Sequence, residues 1–114
     1  MRNWNPVPRG MSVPLLGLLL LAVPAVQAQS EAGKNFKDNC AVCHGENGNG
    51  DTPSGKLMGA VDLRTPIVQK QTDAALTESI TKGKNNKMPA WGPILKNTEI
   101  KDLVAYIRRL AAKK

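Results

Sequence analysis

Five consecutive residues constrain this chain more than any others: Cys40-Ala41-Val42-Cys43-His44. Two thiols spaced by two residues and followed at once by an imidazole form C-x-x-C-H, the spacing that attaches a c-type haem. The thiols must reach two vinyl groups on one edge of a porphyrin, and one turn of backbone between them allows it. His44 then comes under the ring and offers a nitrogen to the iron. Two other readings use the same residues. A thioredoxin-like redox pair wants a strand–helix context, and no strand pattern of useful length occurs in the chain. A zinc site needs four ligands, or three and a water. With two Cys and one His, the chain offers at most three of the usual nitrogen and sulfur ligands.

The segment before this motif reads as an export signal. Arg2 and Arg9 precede an uncharged apolar run from Val13 to Val26, and Val26-Gln27-Ala28 places small residues where a signal peptidase reads. Cleavage is expected before Gln29. The apolar run is shorter than the roughly 18 residues of a spanning helix, and Pro14 and Pro24 interrupt it. No permanent membrane anchor is therefore expected, and the protein is expected in the periplasm. Residues 1–28 are read as a cleaved signal peptide and 29–114 as one domain. That domain holds 14 of the 16 Lys and Arg and all nine Asp and Glu, which leaves it basic. Its only large aromatic side chains are Phe36, Trp91 and Tyr106. So small a domain struggles to build a core unaided, and a buried porphyrin would supply the missing apolar mass.

The domain reads as helices and loops. Ser30 to Cys43 forms a first helix, with Ser30 as its cap and Ala32, Phe36 and Cys40 along one face. Gly45 ends it, and Glu46-Asn47-Gly48-Asn49-Gly50-Asp51 is loop by composition. Residues 52–71 are expected to be loop with one short helical turn. Thr72 or Asp73 caps a second helix that ends at Lys82 before Gly83. A polar loop follows, with Met88-Pro89 in its middle. A thioether there suits a sixth position on haem iron. Asn97 or Thr98 caps the last helix, whose apolar face is Ile100, Leu103, Val104, Ile107 and Leu110. The basic residues Arg108, Arg109, Lys113 and Lys114 at its end complement the helix dipole. No basic stripe is interleaved with aromatics, so no nucleic-acid partner is expected.

In this order the parts resemble the class I c-type cytochromes, over nearly all of residues 29–114. Cys40 to Gly45 lies near the end of a first helix, Met88-Pro89 in a late loop, and Val104-Ala105-Tyr106-Ile107 in a final helix. In that family the first and last helices cross, and Phe36 and Tyr106 match the aromatics that meet there. The family's usual glycine eight residues before the first Cys is Ala32 here, with Gly33 one residue later.

The resemblance implies an all-α cytochrome c fold of three to five helices around one haem c and its iron. Cys40 and Cys43 would be covalent anchors and His44 and Met88 the axial ligands. Leu57, Leu63, Ile80, Trp91, Ile94 and Leu95 are the candidates for the haem crevice. Met58 would be a crevice plug rather than a ligand. Iron closed on both faces leaves no open position for a substrate, so no catalytic residue and no enzymatic activity are expected.

The expected function is a monomeric one-electron carrier between redox-partner proteins. Lys82, Lys84 and Lys87, crowded just before Met88, imply an acidic docking patch on the partner. The alternatives are a cytochrome c subunit of a larger oxidoreductase and, with a labile sixth position, a haem enzyme or gas sensor.

Overall fold

The computed structural model describes residues 24–113, together with Gly10 and Gly17. The export segment read over residues 1–28 therefore falls mostly outside the described residues. Six helical segments follow in order: α1 (Pro24–Asn39), α2 (Ala41–His44), α3 (Pro53–Met58), α4 (Pro66–Gln69), α5 (Asp73–Lys82) and α6 (Asn97–Ala112). Among the described residues there is no strand, and none of the helices is long and apolar enough to cross a membrane. The fold is all-α, as the resemblance implies. The segments number six because the 52–71 stretch holds two short helices and a bend at Cys40 divides the first helix in two.

The first helix begins earlier than its residues imply. Ser30 is not its cap. It lies within α1, where its hydroxyl donates to the Gln27 carbonyl at 2.8 Å. The alanines at 25 and 28 favour continuation of the helix. The cleavage point expected after Ala28 falls inside this helix.

Pro53 and Pro66 read as punctuation, but each starts a helix. Both stand at the first helical position behind a threonine, where a missing N–H costs nothing and the fixed φ is already helical. Thr52 caps α3 by accepting from the Gly55 N–H at 2.8 Å. α5 has the boundaries read from the sequence, with Thr72 accepting from the Ala75 N–H at 3.1 Å. At α6, Asn97 opens the helix and Lys96 precedes it. Lys96 has no side-chain acceptor to offer. Glu99 reaches back instead and accepts the Lys96 N–H at 2.7 Å.

The core forms where α1 and α5 pack on α6. All five apolar residues read on one face of α6 are buried, and Phe36, Ile100 and Leu103 are fully enclosed. The Phe36 and Tyr106 rings meet at 5.0 Å between centroids, tilted by 40°. Gly33 supplies the close approach at this crossing, since a Cβ there would lie 3.3 Å from the Tyr106 ring. Ala32 beside it is buried. The family's helix contact is kept with the glycine moved by one residue.

The 45–51 loop folds under α6. A Cβ on Gly48 would lie 2.8 Å from the Leu110 side chain, and Gly48 has a φ of 78°. Only glycine tolerates both the closeness and the left-handed backbone.

Candidate functional site

Cys40 is where the first helix changes direction. Its backbone (φ −110°, ψ −34°) departs from ideal helix, and α2 resumes immediately with the His44 N–H donating to the Cys40 carbonyl at 2.9 Å. Gly45 then stops α2 with a φ of 75°. The short helix α3 braces this turn from outside. The Thr52 hydroxyl donates toward the carbonyls of Val42, at 2.8 Å, and Cys43, at 3.0 Å. Gly55 packs against the Cys43 carbonyl so closely that any side chain would strike it. The capping threonine of one helix thus fixes the backbone of the two-thiol turn.

Above this turn lies a cavity bounded by nearly every element of the fold. Cys40 and His44 line it from α2 and its junction, Leu76 and Ile80 from α5, Leu103 and Ile107 from α6, and Met88 from the loop after α5. Counting its open mouth, the cavity holds about 680 Å³. Apart from Cys40, His44 and Met88, its lining is mostly aliphatic, joined by Phe36, Gln71, Ser79 and Lys84. Gln71 and Ser79 have already given donors to the carbonyls of Ile67 and Ala75.

Met88 is held by its neighbours rather than by a helix. Asn85 and Asn86 both adopt left-handed backbone, with φ of 55° and 53°, and asparagine tolerates this better than most residues. The Lys87 N–H closes the turn on the Lys84 carbonyl, and Lys84 and Met88 exchange backbone hydrogen bonds at 3.0 Å. The return leg is tied to the end of α5. Trp91 and Gly92 donate their N–H groups to the carbonyls of Ile80 and Thr81, each at 3.0 Å. Those are carbonyls that a helix end leaves free.

The crevice candidates divide. Leu63 and Ile80 line the cavity. Leu57 is 79% exposed and Ile94 is 71% exposed, so neither belongs to it. Trp91 and Leu95 pack on the core but outside the lining. Met58 ends α3, half exposed, and does not reach the cavity as a plug. The walls missed from sequence are chiefly Val61, Val68, Leu76, Leu103 and Ile107. Leu76, Leu103 and Ile107 belong to helical stripes that were legible as buried, without any sign of what they would be buried against.

The electrostatics of the cavity favour neutral ligands. The Cys40 thiol is pushed up to about 11, first by burial and then by the neighbouring Cys43. A redox-active pair depends on a depressed thiol pKa that supplies thiolate at neutral pH, and Cys40 has the opposite bias. Burial also holds the His44 imidazole below its usual value, offset in part by the Val61 backbone. Its Nδ1 is buried with no hydrogen-bond partner. A buried polar atom left unpaired costs about 1–3 kcal/mol. The Cys40 thiol, the His44 imidazole and the Met88 thioether line an apolar cavity, and Cys43, also a free thiol, lies three residues after Cys40. Thiols for covalent attachment with an imidazole and a thioether for the iron are the set that a c-type haem takes. The residues fit that cofactor.

Comparison with known proteins agrees. The sequence profile of the family described as cytochrome C oxidase, cbb3-type, subunit III matches residues 27–107. The chain belongs to this family. It is a cytochrome c domain, and its cofactor is haem c with its iron. It is 39% identical over 84 residues to the cbb3-type cytochrome c oxidase subunit FixP of Azorhizobium caulinodans, covering 73% of this chain and 27% of that protein. It is also 39% identical over 89 residues to the subunit CcoP of Azospirillum brasilense, covering 76% of this chain and 30% of that protein. The chain thus spans less than a third of these relatives. Among solved structures it is similar to the KustC0563 c-type cytochrome, with a TM-score of 0.65 and 30% identity. That match covers 69% of this chain and 95% of the other.

Proposed function

We propose that this cytochrome c domain passes single electrons as a module of a larger oxidoreductase, on the periplasmic side of a membrane. The reading rests on relatives that are named as subunits of cbb3-type cytochrome c oxidase. It replaces the free carrier as the leading assignment and takes up what the sequence left as the alternative. In this role the domain relays electrons and another part of the assembly does the catalysis. Export by residues 1–28 belongs to the same proposal.

The observation that carries the site assignment is the meeting of Cys40, His44 and Met88 on one apolar cavity, although 44 residues separate the last two. Cys40 and Cys43 would anchor the haem through thioethers. His44 and Met88 would hold the iron. The bound haem supplies reversible one-electron exchange between ferric and ferrous iron. The chain's own part is to hold both ligands still and keep water from the ring. Core-packed aliphatic walls serve the second. For the first, the double tie of the Met88 loop to α5 holds Met88, and the Thr52 hydroxyl braces the turn that carries His44. A soft thioether opposite an imidazole raises the potential, and an apolar wall opposes the extra charge of the ferric state.

A free carrier remains the second reading. A solved c-type cytochrome that is almost wholly this domain favours it. Size-exclusion chromatography of a detergent extract, followed by the haem absorbance, separates the two. Elution with an oxidase supports the module, and elution as a small monomer supports the carrier. The reduced spectrum taken with and without carbon monoxide tests whether the sixth position is closed. A ready shift with the gas would favour a haem enzyme or sensor instead.

A further inference from the structure

Arg108 lies near the end of α6, where terminal basic residues read as dipole complements and solubilising groups. The structure gives it a different environment. Its side chain is only 28% exposed. The guanidinium donates to the Gln69 carbonyl at 2.8 Å, to the Gln71 carbonyl, and through Nε and Nη2 to Asp73 Oδ1 at 3.0 and 2.8 Å. These partners lie 35 to 39 residues earlier in the chain. They form the junction between α4 and α5, and Asp73 is the first residue of α5. One planar fork therefore fixes the start of α5 to the end of α6.

The far end of α5 carries Met88. Beyond Lys82 the chain turns at Gly83 and runs directly into the Lys84 to Met88 turn, and the return leg is hydrogen-bonded to Ile80 and Thr81. Between its two ends, α5 faces the core through Leu76 and Ile80. Apolar packing is non-directional. It keeps α5 against α6 but only weakly resists sliding along the helix axis. Charge-assisted hydrogen bonds are directional, and those of Arg108, joined by the Gln69 amide donating to the Ile107 carbonyl at 3.2 Å, link the start of α5 to α6.

We infer that Arg108 is a positioning residue for Met88, acting through α5 as a strut. The inference rests on the proposed ligation of iron by Met88. Losing the fork would let α5 shift, and Met88 would leave the iron more often without the domain unfolding. Such local opening is read by how fast an added ligand occupies the sixth position.

The test uses the ferric holoprotein and exogenous imidazole. Arg108→Leu, Arg108→Lys and Asp73→Asn are compared with Ile100→Val, which loosens the core away from the cavity lining. Each is followed by thermal unfolding, by the near-infrared charge-transfer band of methionine-bound ferric haem, and by the imidazole binding rate. Arg108→Leu is expected to raise that rate by about tenfold, the rate equivalent of one charge-assisted hydrogen bond. Arg108→Lys should recover part of the difference. Asp73→Asn, a change at an exposed carboxylate, should raise the rate by a smaller factor. Ile100→Val should lower the melting temperature and leave the rate unchanged. If Arg108→Leu yields no holoprotein, the Lys and Asn variants decide. Variants that lose stability but bind imidazole at the wild-type rate overturn the inference and leave Met88 ligation standing. A wild-type protein without the charge-transfer band takes Met88 off the iron, and the inference falls with it.

Discussion

Gly83 and Met88 touch through their backbones: a Cβ on Gly83 would run into the Met88 carbonyl and would also lie 2.9 Å from the Ala90 nitrogen. Gly83 also has a φ of 73°, in the left-handed region. The residue that ends α5 is therefore the one that lets the methionine loop fold back onto it. Gly83→Ala would suffer both effects. A backbone at φ 73° and ψ −179° is essentially reserved for glycine and costs another residue about 1–3 kcal/mol, and the collision would push the loop away from α5. The expected outcome is a lower melting temperature together with a weakened methionine charge-transfer band in the ferric protein.

Covalent attachment is tested by extraction. Denatured protein treated with acid acetone should stay red and keep the mass increment of one haem. Replacing Cys40 or Cys43 with Ser should leave one thioether at best and little mature protein. His44→Ala should give no stable holoprotein, since the chain has no other histidine. Colour that passes wholly into the organic phase would refute the attachment.

The two methionines near the haem motif and the late loop should behave differently. Met88→Ala should lose the charge-transfer band, lower the potential and admit carbon monoxide, because the soft sixth ligand is gone. Met58→Leu should change none of these, consistent with a half-exposed side chain outside the cavity. The opposite pattern would exchange the two assignments.

Lys84, which lines the cavity, and Lys87, three residues on in the same turn, are exposed and have no ion-pair partner among the described residues, whereas Lys82 pairs with Glu78 at 2.7 Å. We expect the first two to steer an acidic redox partner. Reversing both to Glu should slow second-order electron transfer by about tenfold at low salt. The wild-type rate should itself fall as ionic strength rises, since exposed charges are screened over about 8 Å at physiological salt. The melting temperature should barely move. Rates indifferent to both salt and charge reversal would make these lysines solubilising residues and place docking elsewhere.

Much of this molecule was legible before any coordinates. The α6 stripe declared its buried face because a helix repeats every 3.6 residues, and all five residues are indeed buried. Thr72, Asp73 and Gly83 marked the limits of α5 through capping chemistry that is local to a few residues. Thr52-Pro53 and Thr65-Pro66 carried the same kind of signal. They read as loop because helices of six and four residues are too short to show periodicity. The crevice was the least legible part. Leu57 and Val61 are equally apolar on paper, yet only Val61 reaches the cavity.

By itself the sequence determined the chemistry of the site and its local scaffolding. A thiol pair, an adjacent imidazole and a distant thioether are properties of residue type and spacing, and helix starts and stops follow from side chains within one turn. Tertiary structure decided which residues share a space. It brought Met88 to the cavity that His44 lines and carried Arg108 across 35 residues to the start of α5. It also turned Leu57 outward. Each of these outcomes depends on how helices cross and where loops return, which is set by packing between segments far apart in the chain. No local pattern of residues encodes those distances.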